Sequence, residues 1–245
     1  MLDLAIHTTR VQFFNADLPI NGYLAKPAGE GPFAAVIVLQ EIFGVNAHIR
    51  AVTERLAQAG YVALAPNLYQ RLDPNFDVGY TPADIELGKH YKAQTTAAEL
   101  LSDITAAITY LRSLSTVKPD SIGTIGFCFG GHVAYLAATL PDIKATASFY
   151  GAGITHWTPG GDQPTLTCTA EIPGKIYAFF GTQDASIPAE QVAQIEAELH
   201  KYQIHHRIFR YCADHGFCCD QRASYNPEAA ADAWQHVYQL FQEKL

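Results

Sequence analysis

Residues 121–131 read SIGTIGFCFGG and run without a break into HVAYLAATL at 132–140. An apolar run that ends in glycines and passes directly into a helical pattern predicts a strand, a tight turn and a helix. Gly126 and Gly130 flank Cys128 at two-residue spacing, which such a turn needs because strand and helix backbones come too close for a Cβ. The turn thrusts the sulfur out of the sheet edge at the start of a helix, where the dipole attracts negative charge. This is a nucleophile elbow with Cys in place of Ser. A buried structural Cys between two packing glycines is the competing reading, and the strand before and helix after favour the elbow.

Outward from the elbow, apolar runs at 34–39, 61–65, 145–150, 175–180 and 204–211 are mostly too continuous for a sheet with one wet face. They predict strands covered on both sides. Between them, Ile49/Val52/Leu56, Leu101/Ile104/Ile108/Leu111, Val192/Ile195/Leu199 and Trp234/Val237/Phe241 recur at helical steps and read as core packing. The alternation predicts an α/β fold with a mostly parallel central sheet and helices on both faces. At the N-terminus, residues 8–15 and 20–26, joined by a turn containing Pro19, predict an antiparallel hairpin. The stretches 67–94 and 152–174 break the rhythm and are expected to be loops or short helices forming cap-like walls at the carboxyl edge, where open α/β sheets bind ligands.

Composition narrows the function. The chain has 245 residues, 49% hydrophobic, with a net charge of −8, which predicts one domain over residues 1–245. It also argues against nucleic-acid or anionic-membrane partners. No apolar run approaches a membrane span, and Asp3 precedes the first basic residue, Arg10, against a basic leader. Five cysteines, at 128, 168, 212, 218 and 219, are odd in number and too sparse for a disulfide framework, so a cytoplasmic location is expected.

A nucleophilic Cys needs a base, and this topology supplies acid and His on loops after later strands, in that order. Asp184 follows the strand at 175–180 in Gly-Thr-Gln-Asp; His215 follows the last strand in Asp-His-Gly-Phe. Asp184 would fix the tautomer of His215, and His215 would exchange protons with Cys128; a solvated loop acid or helix cap is the plainer reading of Asp184. His132, one turn into the elbow helix, is expected to point sideways. The backbone N–H groups of Ile42 and Phe129 are the expected oxyanion donors. Glu41 ends an early strand, either as a charged terminus reaching water or as a buried carboxylate accepting a hydrogen bond from the Cys128 thiol. Three other readings compete. Cys212, His215 and Cys218 have zinc-like spacing, a glutamine amidotransferase would require a His-x-Glu dyad that has no suitable place, and a vestigial triad would leave a silent ligand-binding scaffold.

From QEIFG through APNLY, GFCFGG and GTQD to DHGF, the chain resembles the dienelactone hydrolase family, cysteine esterases of the α/β-hydrolase fold that open lactones. The resemblance implies Cys128 as nucleophile acting through a thioester, Asp184 and His215 as its partners, Glu41 as the carboxylate holding the resting thiol, and Tyr91 as a pocket residue. It implies a small ester or lactone as substrate, with no cofactor and no resident metal, and leaves monomer or homo-oligomer open. Family members hold a substrate carboxylate with a cap arginine and another four residues after the His. That position is Cys219 here, and the nearest arginine is Arg222. Arg71, Trp157 and Phe217 are the remaining candidate substrate contacts. With Arg71, Lys89 and Lys92 in the cap and no charge at 219, only a weak preference for carboxylate-bearing lactones is expected.

Overall fold

The computed structural model describes residues 4–245, so the reading of Asp3 lies outside the described residues. Its frame is an eight-stranded sheet in the order β1-β2-β4-β3-β5-β6-β7-β8. The strands are β1 Ile6–Asn15, β2 Leu18–Pro27, β3 Phe33–Leu39, β4 Val62–Pro66, β5 Val117–Phe127, β6 Ile143–Phe149, β7 Lys175–Gly181 and β8 His206–Tyr211. β1 and β2 form the expected antiparallel hairpin, β2 meets β4 antiparallel, and the strands from β4 to β8 run parallel.

β3 illustrates why the central strands carry no alternation of polarity. Ala34, Val36 and Val38 belong to one core cluster and Ala35, Ile37 and Leu39 to the other, so both faces are dry. Helices α1 (Ala47–Gln58) and α6 (Pro227–Lys244) close the first face with Ile49, Val52, Leu56, Trp234, Val237 and Phe241. Helices α3 (Ala97–Ser113) and α4 (Phe129–Ala137) close the second with Leu100, Ile104, Ile108, Leu111 and Val133. Helix α5 (Ala189–Lys201) lies between β7 and β8 in the chain.

Two local readings change. The hairpin turn is Ala16–Asp17, Ala16 taking φ 49°, and Pro19 lies within β2 opposite Phe14. Proline fits there because β4 pairs only with residues 22–25 of β2, so no second ladder asks for its missing N–H. β5 starts four residues earlier than its apolar run, through a register shift between Phe33 and Ala35 of its neighbour. The expected cap stretches hold α2 (Pro82–Ala93) and a 3₁₀ turn at Thr165–Glu171. α2 starts on a capping box in which Thr81 and Asp84 satisfy each other's backbone N–H groups, with Pro82 at the first helical position. No helix among the described residues is long and apolar enough to cross a membrane.

Candidate active site

β5 ends at Phe127 and α4 begins at Phe129, leaving Cys128 as the whole turn, at φ 54° and ψ −114°. A non-glycine residue with this backbone is strained. The flanking glycines make it possible. A Cβ on Gly126 would lie 1.9 Å from the Gly130 carbonyl oxygen, and one on Gly130 would lie 2.1 Å from that of Leu39. Gly131 is equally confined, 2.2 Å from the Phe149 carbonyl oxygen. The Cys128 N–H is used, donating to Phe149 O at 3.0 Å. Among the described residues, no protein acceptor takes the N–H of Phe129 or of Ile42, which leaves both free for an oxyanion.

At the ends of β7 and β8, Asp184 and His215 meet, with Nδ1 of His215 2.6 Å from Oδ2 of Asp184. Asp184 is buried, and its other oxygen accepts from the Ser186 N–H at 2.8 Å. The turns interlock because Gly181 has no side chain; a Cβ would sit 2.2 Å from Ala213 O. Cys128 lies close enough to the imidazole to act on its charge. Burial alone would lower the His215 pKa, but its interactions with Cys128 and the Asp184 carboxylate outweigh it and raise the pKa to about 10. The ring can therefore hold a proton between two groups that favour its charged form.

Glu41 is fully buried and does not hydrogen-bond to Cys128 among the described residues. Oε1 accepts from Nη1 of Arg222 at 3.2 Å, and Oε2 accepts from the Tyr80 hydroxyl at 3.2 Å. A buried carboxylate needs a charge partner, and Arg222 supplies one that a thiol cannot. The guanidinium reaches it over Gly216, which has φ 80° and whose added Cβ would meet Arg222 at 2.5 Å. Arg222, Tyr80, His215, Asp214, Gln221, Ala223 and Ser224 line an open cleft of 530 Å³.

None of the four expected substrate contacts lines that cleft. Arg71 is ion-paired with Asp103 and, at 3.5 Å, with Glu99. Phe217 is core, packed against Tyr150 and Tyr211. Tyr91 stacks on Tyr69, which in turn stacks on Phe129, one layer behind the elbow. Trp157 packs against His132 and under the Lys92 ammonium. Lys89 pairs with Glu86. The cleft residues missed by sequence are Tyr80, Gln221, Ala223 and Ser224, while Arg222 had one signal, being the nearest arginine beyond His215. The zinc-like trio does not come together, because Cys212 is exposed and bonded by Gln183 while His215 is committed to Asp184. Among the described residues, the one trio of ligand types that does converge is Glu41, His48 and Cys219.

Known proteins match this arrangement along nearly the whole chain. A model described as "Dienelactone hydrolase family" matches residues 20–245. A protein of Synechocystis sp. named "Putative carboxymethylenebutenolidase" is 60% identical over 241 residues, covering 98% of each chain. One of Bradyrhizobium sp., named "Probable 2-oxo-3-(5-oxofuran-2-ylidene)propanoate lactonase", is 31% identical, covering 90% of each. The crystal structure of a "Putative Dienelactone Hydrolase" from Klebsiella pneumoniae superposes with a TM-score of 0.88 at 31% identity, covering 98% of this chain and 99% of that one. With the family model matching residues 20–245 and a relative 60% identical over 98% of each chain, the chain belongs to the dienelactone hydrolase family.

Proposed function

We propose that the chain hydrolyses a carboxylic ester or lactone, as a carboxymethylenebutenolidase does, through Cys128, His215 and Asp184. The Cys128 thiol gives its proton to His215, the sulfur attacks the carbonyl carbon, and the oxygen becomes an oxyanion held by the N–H groups of Ile42 and Phe129. The ring C–O bond breaks, His215 gives its proton to the leaving oxygen, and a thioester remains; the opened hydroxyl stays attached to the acyl group. His215 then takes a proton from water, the hydroxide attacks the thioester, and the C–S bond breaks as His215 returns its proton to the Cys128 sulfur, releasing the product acid, which ionises in water. The observation that carries this reading is the 2.6 Å contact between His215 and buried Asp184, beside a cysteine held in a strained turn.

Arg222 gives the cleft the positive charge that position 219 lacks, and Arg71 spends its charge on Asp103. A carboxylate-bearing lactone is thus the favoured substrate class, a stronger preference than the cap's basic residues suggested. An entering carboxylate competes with Glu41 for the guanidinium. All five cysteines are free, which fits the cytoplasmic location inferred from their number.

The test is a panel of lactones and aryl esters, with and without a carboxylate, against the parent and Cys128→Ala, alongside peptide mapping after brief iodoacetamide treatment. Turnover that disappears in Cys128→Ala, with Cys128 labelled first, is expected. Turnover surviving the substitution would overturn the mechanism.

A further inference from the structure

Behind the cleft wall lies a cluster that the hydrolytic steps leave unused. One oxygen of Glu41, one ring nitrogen of His48 and the sulfur of Cys219 lie within 4.8 Å of one another, and all three residues are buried. His48 is 4% exposed. Its Nε2 has no hydrogen-bond partner, and neither does the buried hydroxyl of Tyr150, which sits close enough to Glu41 and Cys219 to feel their charge. Buried polar atoms are almost always satisfied, so an unpartnered imidazole nitrogen beside a carboxylate and a thiol, with an unpartnered hydroxyl nearby, points to something that completes the group. The Tyr80 hydroxyl accepts from Cys219 at 3.2 Å and donates to Glu41 at 3.2 Å, bridging two members of the trio and lining the cleft at the same time.

We infer that Glu41, His48 and Cys219 form a binding site for a thiophilic divalent cation of the zinc class. A thiolate, a neutral imidazole and a carboxylate balance the charge of one Zn²⁺ ion and leave a fourth tetrahedral position for water, the pattern of three protein ligands with one open position. Bond lengths of about 2.0–2.3 Å place neighbouring ligand atoms about 3.3–3.8 Å apart, so a pair at the 4.8 Å limit would close by about 1.0–1.5 Å on binding. When the S–Zn bond forms, the Cys219 thiol releases its proton to water. Soft and borderline ions are selected over magnesium and calcium because two of the three donors are sulfur and nitrogen.

Occupancy changes the cleft, since Glu41 is also the partner of Arg222. A cation that claims the carboxylate and repels the guanidinium loosens Arg222, so the loaded chain is the slower form. That consequence rests on the hydrolase reading above; the site itself does not.

Cobalt(II) is the probe, because thiolate ligation gives it a charge-transfer band in the near ultraviolet. Titrated into full-length Cys128→Ala protein, it should bind one equivalent with that band. Adding Cys219→Ser should abolish the band, and adding His48→Gln should weaken affinity at least tenfold while circular dichroism stays unchanged. Absence of any band, or a band that survives Cys219→Ser, overturns the site; the first result would mean that water alone fills it. In the parent, Zn²⁺ should slow ester turnover at least tenfold, reversibly with a chelator, while Cys219→Ser turns over equally with and without zinc. Equal inhibition of both would move the effect to Cys128 and overturn the regulatory role. If no ester is hydrolysed by any form, the hydrolase reading fails and the cobalt band still decides the site.

Discussion

Protonating His132 should cost the folded chain about 3 kcal/mol. The ring is fully buried on α4, with Nδ1 2.8 Å from the Ala152 carbonyl oxygen and Nε2 2.6 Å from the Thr165 hydroxyl. The carbonyl can only accept, so Nδ1 carries the hydrogen and Nε2 accepts from Thr165. Burial pulls the His132 pKa down to about 4, against a smaller upward pull from the Ala152 carbonyl. The unfolded chain binds that proton near pH 6.5. The gap of about 2.5 units at 1.36 kcal/mol each gives about 3 kcal/mol. Above pH 6.5 the ring is neutral in both states and the stabilisation is complete; it is lost as pH falls from 6.5 towards 4. Carboxylates titrate in the same range, so the comparison is between the parent and His132→Asn, whose amide can still donate to Ala152 O but does not titrate. In urea unfolding the stability difference between the two should shrink by about 2 kcal/mol between pH 7.5 and pH 4.5. Parallel pH profiles would refute the reasoning. Because His132 ties the elbow helix to the segment carrying Trp157, activity should fall over the same window.

Glu41→Gln removes a negative charge beside Arg222, whose positive charge already acts on Cys128, so iodoacetamide should label Cys128 faster than in the parent; the alkylation rate across pH is the measurement. Arg222→Ala should leave Glu41 buried with Tyr80 as its one hydrogen-bond donor, costing about 3 kcal/mol in urea unfolding, and should erase any preference for a carboxylate-bearing lactone over its methyl ester. Gly130→Ala drives a Cβ to 2.1 Å from Leu39 O and 2.5 Å from Gln40 O, so a loss of about 4 kcal/mol and a Tm lowered by roughly 10 °C are expected in calorimetry.

What could be read from the sequence was what backbone geometry dictates. The elbow was legible because two glycines at fixed spacing have one backbone reason to be there, and the close approaches of Gly126 and Gly130 supply it. Asp184 and His215 were legible as positions, each just past a strand that ends at the same sheet edge. Side-chain partnerships across the chain were not. Arg71 looked like a cleft cation until Asp103, 32 residues away on α3, took its charge. Glu41 was expected at the thiol and is held instead by Arg222, 181 residues distant. Pro19 was misread because proline signals turns in general, whereas here the turn needed φ > 0 at Ala16, a conformation proline cannot adopt.

The backbone of Cys128 bears on how this protein would be engineered. Holding a side chain at φ 54° costs about 1–3 kcal/mol, whichever side chain it is. Glycine there avoids that cost, so Cys128→Gly should melt higher than Cys128→Ala and make the better inert reagent for co-crystallising an uncleaved ligand. Relieving the strain at this position therefore removes the side chain proposed to do the chemistry. Selection for thermostability alone, with no screen for turnover, would drift towards erasing the proposed nucleophile.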